Sequence, residues 1–170
     1  LTLIETLVSL GILSLVIFGM TALMMNCSKS ADRTTIRNEV DADVALAVEK
    51  VHDCLIEARY VAIDSGGMGL TYKKPPTDDD GTYTLSVTAV EGASRRLYVS
   101  NGSLYCSDNP GKPVLENVPA NDPETGSALR VFTTGVNGRE LVVRLASSQT
   151  TGSRETVYSA VTTRITPRNM

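Results

Sequence analysis

At 170 residues and 18.2 kDa, the chain has room for one globular domain and an appendage. Its 16 Lys and Arg stand against 19 Asp and Glu, giving a net charge of -3 and a pI near 5.2, the opposite of the balance a backbone-neutralising nucleic-acid binder needs. A hydrophobic content of 42% argues against disorder, and a single His, three Cys and no Trp leave few groups for catalysis.

The average conceals a partition. From Thr6 to Ser28, 23 residues carry no charge, and as a helix they would measure roughly 35 Å, enough to cross a bilayer core of about 30 Å. A cleavable secretory signal begins with basic residues, whereas the first charge here is Glu5. Cys27 follows Met24, Met25 and Asn26, not the small residues of a lipoprotein signal. A carboxylate at position 5, just inside an apolar stretch, costs a few kcal/mol in lipid when unpaired. The expected partner is the α-amino group of Leu1, about one helical turn away, in the same or a neighbouring chain. A pair between subunits would also set axial register.

The opening Leu1-Thr2-Leu3-Ile4-Glu5, followed by Thr6-Leu7-Val8-Ser9-Leu10-Gly11-Ile12-Leu13, resembles the mature N-terminus of type IV pilins and of their relatives, the pseudopilins of type II secretion. The likeness covers the first 25 residues or so. It implies a precursor whose short basic leader is removed by a prepilin peptidase, N-methylation of Leu1, and roles for Thr2 and Glu5 in assembly and register. It also implies residence in the bacterial inner membrane before assembly, and an assembly machinery with an ATPase and a platform protein. The family usually begins with Phe where this chain has Leu1, and commonly has Pro where this chain has Ala22. Gly11 and Gly19, among Ser9, Ser14 and Thr21, permit close helix approach, and Gly19 is also a place for local melting during assembly, as in many pili.

After Lys29, the residues Ile36, Val40, Val44, Ala47, Val48, Val51, Leu55, Ala58 and Ala62 recur at spacings of three and four, which predicts an amphipathic helix to about Val61. Glu39, Asp41, Asp43, Glu49, Lys50, Asp53 and Glu57 form its solvated face. With no proline before Pro75, one gently curved helix of about 60 residues and roughly 90 Å is expected. One small domain cannot bury such a helix, so its N-terminal half must lie in a membrane or against copies of itself.

The stretch Ser65-Gly66-Gly67-Met68-Gly69 is expected to end the helix, and Pro75 to Gly81 to form a loop. Beyond it the period changes to two. Thr82 to Val90 reads as a strand, and Arg95 to Ser100 with Ser103 to Cys106 as a hairpin about Asn101-Gly102. Leu129 to Thr134 and Glu140 to Ala146 flank a turn at Val136-Asn137-Gly138, and Thr156 to Thr166 is a final strand. The expected fold class is α+β and pilin-like: a long N-terminal helix whose C-terminal half packs on an antiparallel β-sheet head of about four to six strands. Residues 1–28 form the anchor and filament core, and 29–170 the rest of the helix and the head. By the family resemblance, the proline-containing segment Ser107 to Ser127 is variable surface decoration.

Cys27 and Cys54 on one helix would lie about 40 Å apart, far beyond the roughly 7 Å a disulfide spans. Cys54 sits on the apolar stripe and Cys106 closes a strand expected to pack there, so Cys54–Cys106 is the reasonable intrachain bridge in an oxidising compartment; the alternative is two buried thiols acting as small hydrophobes. Metal-ligand and haem spacings are missing from the sequence, Asp78, Asp79 and Asp80 lack EF-hand alternation, and His52 lies beside Asp53 off the apolar stripe with no nucleophile motif. Lys73-Lys74 and Arg95-Arg96 read as solvated charges. The sequence therefore reads as a non-enzymatic chain without cofactors or nucleic-acid partners: a structural subunit of a type IV pilus-like surface filament that self-associates through its N-terminal helix. The alternative is a minor pilin or a type II secretion pseudopilin of a periplasmic pseudopilus.

Overall fold

The computed structural model describes residues 2–75, 94–136 and 140–167. Helix α1 spans Leu3–Leu55, followed by β1 Tyr60–Ile63, β2 Gly69–Lys73, β3 Ser94–Ser100, β4 Ser103–Cys106, β5 Phe132–Thr134, β6 Leu141–Thr150 and β7 Thr156–Ile165. The first four strands form one antiparallel sheet in the order β1-β2-β3-β4, and the last three a second in the order β5-β6-β7. The architecture is the expected α+β, pilin-like one, with the C-terminal part of α1 packed on β6 and β7. The expected head of a single sheet is instead two sheets.

Helix α1 is unbroken over 53 residues, about 80 Å at 1.5 Å per residue. Its stripe behaves as the spacing predicts: Val40, Val44, Ala47, Val51 and Leu55 are buried, and Ile36 and Val48 are half-buried. The helix stops at Leu55, short of the expected Val61. Ile56 makes the last helical bond, to the His52 carbonyl at 2.9 Å; the Arg59 N–H then turns to the Lys73 carbonyl at 3.0 Å. From there Tyr60-Val61-Ala62-Ile63, rich in aromatic and β-branched residues, pairs with β2 in the register Tyr60↔Lys73 to Ile63↔Leu70. Ala58 keeps its burial, but on a turn.

The Gly-rich stretch accordingly closes the β1–β2 hairpin and does not end the helix. Gly67 lies there at φ +69, and a Cβ on it would meet the Phe132 carbonyl oxygen at 3.0 Å. That close approach has a purpose: the Phe132 N–H bonds the Gly67 carbonyl at 2.9 Å, tying the first sheet to the second. The β3–β4 hairpin turns as expected at Asn101 and Gly102, with φ values of 49 and 72, the positive pair that a two-residue I′ turn requires.

Leu70, Tyr72, Leu97, Leu104, Phe132, Leu141, Val143, Leu145 and Ile165 close over the helical stripe in one core. On β6, Leu141, Val143, Leu145 and Ser147 share the inward parity, all buried. The segment expected as surface decoration enters this core: Leu115 and Val118 are buried, Leu115 bridges Leu104, and the Ser147 hydroxyl donates to the Glu116 carbonyl at 2.9 Å. Hydrogen bonds to neighbouring strands take the place of periodicity there. The expected strand Thr82–Val90, the loop at Asp78–Gly81, the turn at Asn137-Gly138 and the terminal residue Leu1 lie outside the described residues.

Candidate functional site

The feature that sets this chain apart is the first half of α1. Every residue from Thr2 to Thr35 is exposed. Fifteen of them, from Leu3 to Met25, are large hydrophobics, including Leu7, Ile12, Val16, Phe18 and Leu23. They point in all directions around the helix, so burying them is worth on the order of tens of kcal/mol, and the head covers none of it. An 18-residue window here has a mean hydropathy of 2.3; the helix is long and apolar enough to cross a membrane.

Its few polar side chains are satisfied by the helix itself. The Ser9 hydroxyl donates to the Glu5 carbonyl, Ser14 to Gly11 and Thr21 to Ile17, each at 2.8 Å, and Thr6 to Leu3 at 2.9 Å. Back-bonding of this kind lowers the cost of carrying hydroxyls into an apolar medium. Gly11 and Gly19 leave notches: a Cβ at either would meet no atom within 4 Å.

Glu5, expected to pair with a terminal amine, has a partner within its own first turn. Its Oε2 accepts from the Thr2 N–H at 3.1 Å, while Thr2 Oγ1 accepts from the Glu5 N–H at 3.4 Å. This is a capping box, in which two orphan donors at a helix start are satisfied reciprocally and the carboxylate faces the positive end of the helix dipole. The Thr-x-x-Glu spacing is readable in the sequence, and it brings together two of the expected assembly residues, Thr2 and Glu5. An amine is therefore not required to satisfy Glu5 in the isolated subunit.

The charges of the head are organised by ion pairs. Arg95 pairs with Asp108 at 2.6 Å, Arg96 with Asp64, and Lys74 with Glu57 at 3.4 Å, so these three partly solvated charges also link separate segments. Arg144 Nε sits 2.6 Å from Asp122 Oδ2, and its Nη2 2.6 Å from Glu124 Oε2, which fastens the proline-containing segment onto β6. The Arg144 guanidinium holds the Asp122 carboxyl below its ordinary range. The sequence reading missed this cluster; the acids and Arg144 lie about 20 residues apart, and no local motif joins them.

Cys27, Cys54 and Cys106 are free thiols in this structure. Cys27 stands exposed on α1, while Cys54 and Cys106, expected as a bridge, are not joined but line one cleft. The Tyr72 hydroxyl lies 3.7 Å from Cys106 Sγ. Burial pushes the Cys54 thiol above its usual range, against the lowering effect of the Tyr72 contact. His52 Nδ1 is 3.7 Å from the Asp53 carboxylate on the exposed side of α1. Among the described residues, no group of three or more His, Cys, Asp or Glu is placed to hold a metal ion. Compared with protein-family models, curated proteins and solved structures, the chain finds no match.

Proposed function

We propose that this chain is a structural subunit of a bacterial type IV pilus-like surface filament, held in the inner membrane by the first half of α1 and packed into the filament core by the same surface. The observation that carries the reading is the apolar cylinder of residues 3–25, exposed on every face and attached to a head with its own core. The resemblance of residues 1–13 to mature pilins supports the same conclusion, and processing and N-methylation at Leu1 by the family's machinery belong to it.

Assembly exchanges one apolar environment for another, so bulk hydrophobicity does not drive it. Close packing at the notches of Gly11 and Gly19 and polar contacts at Thr2 and Glu5 then decide register. The capping box makes Glu5 tolerable in lipid, and a neighbouring subunit's amine competes for the same carboxylate on docking.

The test is a Glu5→Ala variant in cells that build the filament. The expected result is normal membrane insertion and a folded head with filament yield reduced at least tenfold. Filaments at wild-type yield would remove Glu5 from the assembly mechanism.

A further inference from the structure

The Cys54–Cys106 pair lies far from the apolar half of α1 and has a chemistry that the filament reading does not use. Cys54 is on the last turn of the helix, half-buried, and Cys106 is the final residue of β4, only 7% exposed. Both line a cleft of about 340 Å³ with Lys50, Asp108 and Lys112 on its walls. Both thiols open onto that one cleft, and the Tyr72 hydroxyl lies 3.7 Å from Cys106 Sγ. The elements that carry them are fixed independently, α1 by the core stripe and β4 by its pairing of Cys106 with Leu97. The two thiols are thus held at one opening.

We propose that Cys54 and Cys106 form a redox modification site, at which a small disulfide of the glutathione type enters the cleft and closes an intrachain bridge pinning the end of α1 to β4. Cys54, the more exposed thiol, gives up its proton, a step that its burial makes slow near neutrality and faster as the pH rises, and its thiolate attacks one sulfur of the incoming disulfide. The S–S bond of the oxidant breaks, one thiolate leaves and takes a proton, and a mixed disulfide remains on Cys54. Cys106, beside it, loses its proton and attacks the Cys54 sulfur, expelling the second thiol. Two protein thiols and one small disulfide become one protein disulfide and two small thiols. The closed loop contains the β1–β2 hairpin and β3, long enough for the cross-link to restrict the unfolded chain strongly.

The experiment uses the full chain in detergent micelles, reduced and then exposed to glutathione disulfide, with free thiols trapped by alkylation and peptides mapped by mass spectrometry. The expected product joins the Cys54 and Cys106 peptides within one chain, and its head melts roughly 10 °C or more above the reduced form. Cys106→Ser is expected to stop at glutathione on Cys54, and Cys54→Ser to leave Cys106 unmodified until the head unfolds. Wild type that accumulates stable glutathione on Cys54 beside a free Cys106 would overturn the proposal. So would a bridge that appears only in denaturant, or oxidation confined to Cys27 and links between chains. Because the readout is a bond within one head, it stands or falls separately from filament assembly.

Discussion

Removal of residues 1–28 separates the two halves of the molecule and tests their independence. Every residue from Thr2 to Thr35 is exposed, so the deleted segment contributes no core contact. The first side-chain tie between α1 and the head is the ion pair of Arg33 with Glu155, 3.2 Å long with the two side chains 60% and 49% exposed. The truncated chain retains it, and a pair so exposed is worth about 0–1 kcal/mol. Fraying of the new helix start therefore costs at most about 1 kcal/mol, a fall in Tm of less than roughly 5 °C. By contrast Leu55, fully buried at the other end of the same helix, should lose about 2–5 kcal/mol on truncation to Ala, or roughly 6–20 °C. The assay is thermal unfolding followed by circular dichroism, with the truncated chain in plain buffer, the full chain in detergent, and Leu55→Ala in both backgrounds. A truncated chain that is monomeric and cooperative, with Leu55→Ala equally damaging in both, is the expected result. A truncated chain that fails to fold, or melts more than roughly 10 °C lower, would show that the apolar half belongs to the head's own core.

Gly67→Ala places a methyl at φ +69 against the Phe132 carbonyl; it is expected to cost about 1–2 kcal/mol and to speed hydrogen exchange at the Phe132 amide, with Gly66→Ala, which meets no atom within 4 Å, as the mild control. Asp122 has its carboxyl lowered in the folded state by Arg144. Its stabilising effect is therefore fully present above the ordinary carboxylate pKa and lost as pH falls through the lower folded value. The Tm difference between wild type and Asp122→Asn should be largest near neutrality and shrink below about pH 4; a difference unchanged by pH would refute the pairing. Ile17→Lys puts a charge at the centre of the uncharged run, at a cost of about 2.5–3.5 kcal/mol for insertion, and should shift the chain from the membrane fraction while leaving the head's Tm unchanged.

The long helix was legible because both of its signals are periodic or compositional. The uncharged run is unmistakable, and Val40, Val44, Ala47, Val51 and Leu55 mark one face in a regular rhythm. Its end was not legible, because Ala58 and Ala62 continue that rhythm by coincidence while backbone pairing with Lys73 and Thr71 takes the chain into β1. Asn101-Gly102 announced its hairpin through the turn chemistry alone. The β1–β2 hairpin was hidden because Gly-rich sequence serves equally as a helix stop and as a tight turn, and only the docking of Gly67 on Phe132 tells them apart. The segment around Leu115 and Val118 had no period to read, since its order comes from bonds to β4 and β6. At the helix start, Glu5 was expected to pair with the Leu1 amine, and the capping box that links it to Thr2 instead follows a local Thr-x-x-Glu rule that needs no second subunit.

The most direct test of the central claim is to shear surface filaments from the source cells and identify their main component by mass spectrometry, with the N-terminal peptide read from the same sample. A major filament subunit predicts this chain as the dominant species, with a first peptide that starts at Leu1 and carries one added methyl group. Sheared filaments in which the chain is scarce or absent would contradict that role and move the reading to a minor pilin or a periplasmic pseudopilin.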